Sequence, residues 1–271
     1  MIEKILTGDI HGISRALSLV EADGGQGTRD LLKALYPHSS ESLVVGITGG
    51  TGTGKSTLVE GLAQEFLKTT QKVGIIAVDP TSPFSGGAIL GDRIRMQSLA
   101  TNPAVFIRSM ATRGRLGGLS AAVNDGLVVL AAAGYGVLLV ETVGVGQDEV
   151  EVAETADVTV VILVPGMGDD VQTIKAGIME IGDIFVLNKA DRDGAEKARL
   201  ELDSLRSLMA PTEGWVPPIL ETIAIREQGL SELVSAIFDF KSMVVETDSM
   251  AKRKVEFCRN RLVDLLRDRL A

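Results

Sequence analysis

One cysteine and two histidines occur in 271 residues, and these scarcities narrow the chemistry first. With Cys258 alone, an intrachain disulfide and a multi-cysteine metal cluster are both excluded, and His11 with His38 leaves no set of the usual zinc ligands. Aromatic residues make up only 4%, which argues against a stacking platform for single-stranded nucleic acid. Basic residues are outnumbered 27 to 36, a net charge of −9, which disfavours broad phosphate-backbone binding and leaves anionic small ligands open to backbone amides. The apolar stretches Leu127–Leu139 and Val158–Val164 are interrupted or too short for a bilayer. The start, MIEKILTGDIHG, lacks the basic and apolar pattern of a secretory leader. A cytoplasmic protein that uses neither nucleic acid nor membrane is the expectation.

What the chain does have is a core of Val, Ile, Leu and Ala in short continuous runs. Strands are expected at Leu43–Thr48, Val73–Val78, Ala104–Ile107, Val137–Glu141, Val158–Val164, Ile184–Asn188 and Ile219–Thr222. Helical periodicity separates them at Lys55–Thr70, Ile89–Ala100, Leu119–Ala133 and Gly194–Met209, and it precedes them at Ile10–Val20 and Leu31–Tyr36, with DGGQGTRD as a break. Runs buried on both faces and alternating with helices imply βαβ crossovers and an α/β fold with a mostly parallel central sheet flanked by helices. The expected division is a helical extension over 1–40, a core domain over 41–238 and a second helical extension over 239–271. In that last part the basic AKRK and the leucine-rich LVDLLRDRL suit either packing on the same chain or self-association.

The strongest chemical signal is GGTGTGKST, Gly49–Thr57, which follows an apolar strand and opens a helix. Gly49, Gly50, Thr51, Gly52, Thr53 and Gly54 supply a loop whose N–H groups can turn onto a phosphate, with Thr57 in the helix just beyond. Lys55 can reach the β and γ phosphates and Ser56 can ligate Mg²⁺. The base is indicated by NKAD after the strand Ile184–Leu187. Asp191 can accept from the N1–H and exocyclic amine of guanine, Asn188 offers an amide to the base edge, and the stem of Lys189 can cover the ring. Thr222, Ile223 and Ala224 are expected to complete the base pocket through backbone contacts.

Between these two sites lies ETVGVGQ, after the fourth strand. Glu141 can position a metal or its waters, and Gly144 lets a backbone N–H approach a γ-phosphate. Asp79, at the end of the second strand, and Asp92 are further candidates for the metal shell or the attacking water. Gln147 is a candidate for orienting that water, and Arg113 or Arg115 in TRGRLGG for a phosphate or partner contact.

The order of DPTSPFSGGAILGDRIRM, TRGRLGG, ETVGVGQ, GIMEIGD and NKAD resembles the MeaB/ArgK family of P-loop GTPases, relatives of the human methylmalonic aciduria type A protein. The resemblance implies a P-loop fold of the signal-recognition-particle and MinD branch, GTP hydrolysed to GDP with Mg²⁺, and a homodimer assisted by terminal helices. It places Asp79, Asp92 and Glu141 in acidic metal-associated positions and a partner-responsive segment at Asp169–Lys175. It further implies a chaperone role toward an adenosylcobalamin-dependent acyl-CoA mutase, chiefly methylmalonyl-CoA mutase, with cobalamin met through the partner. An amino-acid transport-associated kinase and a GTPase for maturation of another metalloenzyme are the alternatives. Family P-loops often carry Pro and Ala where this chain has Thr51 and Thr53.

Overall fold

The computed structural model describes residues 1–22, 25–39, 42–80, 96–112, 121–142, 152–153, 155–166, 178–207 and 214–246. In chain order these form α1 (Ile2–Leu6), α2 (Ile10–Glu21), α3 (Gly25–Leu35), β1 (Leu43–Gly49), α4 (Lys55–Phe66), β2 (Val73–Pro80), α5 (Gln97–Ala100) and β3 (Val105–Thr112). They continue with α6 (Ala121–Ala132), β4 (Val137–Glu141), β5 (Val158–Leu163), α7 (Ile178–Ile181), β6 (Ile184–Asn188), α8 (Ala195–Ser207), β7 (Ile219–Thr222) and α9 (Leu230–Glu246). Seven strands make one sheet in the order β3-β2-β4-β1-β5-β6-β7, and every pair is parallel. The expected α/β architecture with its parallel sheet is the one observed.

Period-two alternation divides each central strand between two layers. Val45 and Ile47 of β1, Ile75 of β2, Leu139 of β4 and Val160 of β5 face a cluster with Leu58, Leu62 and Phe66 of α4 and Leu233, Ile237 and Phe240 of α9. Ile76 and Val78 of β2 and Leu138 and Val140 of β4 face the other way, onto α6 and the N-terminal helices, where Ile13, Leu17, Leu31 and Leu35 are buried. Full burial of such a side chain contributes roughly 1.5–3 kcal/mol. The N-terminal helices are therefore a layer of the core. The 238/239 boundary falls inside the continuous α9, whose Phe240 and Val244 belong to the first cluster.

Local chemistry fixes the entry points of several elements. The Asp9 side chain caps α2 by accepting from Gly12 N at 2.7 Å. At the amino ends of the strands, Asp157 Oδ2 accepts from Val44 N and Asp183 Oδ2 from Thr159 N, each at 2.9 Å, so the N–H groups opening β1 and β5 are satisfied.

Two expectations need correction, and one helix is new. Helix α3 begins at Gly25, inside the expected break, because Thr28, Leu31 and Leu35 bury one face there and outweigh a glycine cost of about 1 kcal/mol per residue. Strand β3 runs on to Thr112 although Arg108 and Ser109 interrupt its apolar pattern. It is an edge strand, where Arg108 pairs with Glu21 and donates to Ser18 Oγ of α2 at 3.2 Å. Helix α1 was not anticipated: one buried side chain, Ile5, anchors its single turn. The helix expected over Ile89–Ala100 is described only as α5, and the C-terminal pattern only to Glu246.

Candidate functional site

The carboxyl ends of β1, β4, β6 and β7 converge, which is where an open parallel sheet exposes its loops. At the end of β1, Gly49 has φ 140°, and a Cβ there would sit 2.3 Å from Ile162 O of the neighbouring strand. Only glycine lets the chain leave the sheet at that point. The loop then turns on Thr53, whose Oγ1 donates to Gly50 O at 2.9 Å while its side chain is fully buried. The Thr53 hydroxyl thus gives the loop an additional internal bond. Thr51 and Gly52 are exposed at its tip, and Thr57 is half-buried in the first turn of α4.

Lys55 begins α4 and is buried. Its Nζ donates to Gly49 O at 2.7 Å and to Gly50 O at 3.0 Å. The ammonium therefore lies across the mouth of the loop, where the helix N-terminus also favours an anion. Next in sequence, Ser56 Oγ donates to Glu141 Oε1 at 2.7 Å, with both residues buried. This contact follows from strand order. β4 lies directly beside β1 with Glu141 in register with Ile47, and Thr142 is fastened to β1 through Thr142 N to Ile47 O and through its hydroxyl to Thr48 Oγ1, both at 3.1 Å.

A hydroxyl and a carboxylate are hard oxygen donors, the set Mg²⁺ prefers when phosphates and waters complete its shell. Among the described residues no group of three or more His, Cys, Asp and Glu gathers, so an all-protein metal cage is not built there. Ser56 and Glu141 fit the expected ion. Asp79 lies near the end of β2, two positions beyond Ala77, which pairs with Glu141, so its backbone shares that sheet edge. Its side chain lies outside the described set. So do Asp92, Gly144, Gln147, Arg113, Arg115 and the segment Asp169–Lys175.

Asn188 ends β6, is buried, and connects three loops. Its Nδ2 donates to Thr53 O at 2.8 Å, and its Oδ1 accepts from Thr222 Oγ1 at 3.0 Å and from Ala224 N at 3.2 Å. Gly54, at φ 95°, passes so close that a Cβ would lie 2.6 Å from Asn188 Nδ2. Asn188, expected at the base edge, joins the phosphate loop through its amide to the loops after β6 and β7. Likewise Ile223 N donates to Gln228 O and Thr222 O accepts from Ala190 N, both at 3.1 Å, so the backbone of residues 222–224 is tied to the loops around it.

Lys189 adopts φ 58° and sends Nζ to Gly52 O at 2.6 Å, laying its stem between base loop and phosphate loop. Partial burial first, and the neighbouring Arg192 charge second, push its amine below the usual lysine range. Asp191 stands at the rim with Arg226 Nη2 3.5 Å from its Oδ2. The bonded threonine pair Thr48–Thr142 and Arg226 were not singled out from sequence, since neither has a spacing that marks it before the strand order is known.

A glycine cradle with lysine and serine at a helix start, an acidic residue on the adjacent strand and an N-K-x-D loop define a P-loop nucleotide-binding site for guanine nucleotides. Residues 13–271 match the family model described as methylmalonyl-CoA mutase-associated GTPase MeaB. A Pyrococcus horikoshii protein named as a GTPase is 49% identical over 94% of this chain and 81% of its own. The mitochondrial methylmalonic aciduria type A homolog of Caenorhabditis elegans is 32% identical over 94% of this chain and 68% of its own. The crystal structure of an LAO/AO transport system kinase superposes with a TM-score of 0.83 at 29% identity, covering 99% of this chain and 83% of that one. The chain belongs to the MeaB family and is a P-loop GTPase. Among its described residues no helix is long and apolar enough to cross a membrane.

Proposed function

We propose that this GTPase serves an adenosylcobalamin-dependent acyl-CoA mutase, methylmalonyl-CoA mutase or a related enzyme, by assisting loading, protection or reactivation of the mutase's cofactor. The observation that carries the reading is the match to a mutase-associated GTPase family over residues 13–271. Cobalamin is met through the partner. The proposed assembly is a homodimer whose contacts involve the outer faces of the N-terminal helices and the C-terminal part of the chain.

Hydrolysis of GTP needs alignment and stabilisation of charge on the oxygen between β and γ phosphates. The phosphate-loop amides and Lys55 supply positive charge, and Lys55 exchanges its bonds to Gly49 O and Gly50 O for phosphate oxygens. Ser56 and Glu141, with Asp79 and Asp92 as further proposed groups, would hold Mg²⁺, which would supply positive charge to the phosphates. Asp191 selects guanine, while Lys189 covers the ring. Partner binding completes the alignment of the attacking water, so hydrolysis is slow in the isolated protein and faster in the complex. Such coupling requires that the partner favour one nucleotide state over another.

Gel filtration of the protein with a purified acyl-CoA mutase, in GDP and in a non-hydrolysable GTP analogue, tests the reading. A complex whose stability depends on the nucleotide is expected, and absence of any complex contradicts it. Similarity to the LAO/AO transport system kinase supplies a second reading, which γ-labelled GTP separates. Label is expected as free phosphate, whereas label on an amino-acid-binding protein would favour the kinase.

A further inference from the structure

Asp191 has a cationic partner on a different loop. Arg226 ends the turn Ala224–Arg226 after β7, and that turn is closed by Arg226 N to Ile223 O at 2.8 Å and Glu227 N to Ala224 O at 3.1 Å. Ala224 N is held in turn by Asn188 Oδ1. The backbones beneath Asp191 and Arg226 are thus parts of one hydrogen-bonded frame, and only the two side chains span the gap between Nη2 and Oδ2. Lys189, two residues before Asp191, is committed elsewhere through its bond to Gly52 O. One nearby cation holds the phosphate loop and another holds the rim carboxylate.

An ion pair with side chains 59% and 31% exposed contributes little to stability. It does limit the orientations of the carboxylate. Reading guanine requires both oxygens to face two donors, the N1–H and the 2-amine, and freedom to rotate weakens that match. Each carboxylate oxygen can accept more than one hydrogen bond, so Oδ2 can serve Arg226 and the base together. We infer that Arg226 is a positioning residue for base selection, holding Asp191 so that both of its oxygens meet guanine donors. The inference deepens the guanine reading and rests on it.

Hypoxanthine nucleotides lack the 2-amine, so the ratio of GDP to IDP affinity reports the second bond. The unchanged protein is expected to prefer GDP over IDP by about tenfold, and also to prefer GDP over ADP. In Arg226→Ala, GDP affinity falls and IDP affinity holds, narrowing the ratio about threefold, with kcat at saturating GTP unchanged. Arg226→Lys keeps the charge without the fork and is expected to fall between the two. An unchanged ratio, equal losses for both nucleotides, or tighter GDP binding in Arg226→Ala overturns the inference while leaving guanine selection intact. Equal GDP and ADP binding by the unchanged protein overturns the guanine reading itself, and this inference with it.

Discussion

Asn188 and Thr53 are joined across 135 positions of sequence by a buried 2.8 Å hydrogen bond, which makes the base loop and the phosphate loop one mechanical unit. Because the same amide also holds Thr222 and Ala224, its removal strands several buried polar groups at once. Asn188→Ala is expected to cost about 2–4 kcal/mol of stability and to weaken GDP binding at least tenfold. Thermal unfolding with a fluorescent GDP titration checks both, and unchanged binding would show the loops to be independent.

Gly54 separates strain from stability. Alanine at φ 95° costs about 1–2 kcal/mol, and its Cβ would press on Asn188 Nδ2. Gly54→Ala should therefore remain folded by circular dichroism while losing about tenfold or more in nucleotide affinity. Unaltered affinity would mean that the phosphate loop tolerates displacement of Asn188.

Glu141→Gln retains an acceptor for Ser56 and removes the negative charge. The Mg²⁺ concentration for half-maximal hydrolysis should rise about tenfold, while GDP binding in chelator stays unchanged. A Mg²⁺ requirement identical to that of the unchanged protein would remove Glu141 from the metal's surroundings.

Leu17 tests whether the N-terminal helices are part of the core. Its side chain is fully buried and lies close to Gly126 of α6. Leu17→Ala should lower stability by about 2–5 kcal/mol within a single unfolding transition. Two separate transitions, with the later one unmoved, would make the helices an appendage.

The strands were largely legible because a parallel sheet covered on both faces needs continuous apolar runs, and Val137–Val140 and Ile184–Leu187 carry that signal, whereas the short outer strand Ile219–Thr222 includes the exposed Glu221. Where another force intervened, the pattern failed. Arg108 is a charged residue in an edge strand with Glu21 of α2 beside it, and α3 reaches back into the glycine-rich break because Thr28 and Leu31 bury themselves. At the site, residue types in fixed spacing revealed the phosphate loop and the guanine loop. Sequence did not reveal that Asn188 would bridge them or that Arg226 would reach Asp191, because both contacts depend on β1, β6 and β7 ending at one edge of the sheet.

If this GTPase acts on the cofactor state of a mutase, as proposed, uptake of the cofactor by the mutase reads that action. Purified apo-mutase should take up adenosylcobalamin, followed by its absorbance, in a manner that depends on this protein and on whether GTP, GDP or a non-hydrolysable analogue is present. Lys55→Ala should abolish the nucleotide dependence. Identical loading with and without the protein in every nucleotide, together with an unstimulated rate of GTP hydrolysis, would rule out a role for this GTPase in the mutase's cofactor state.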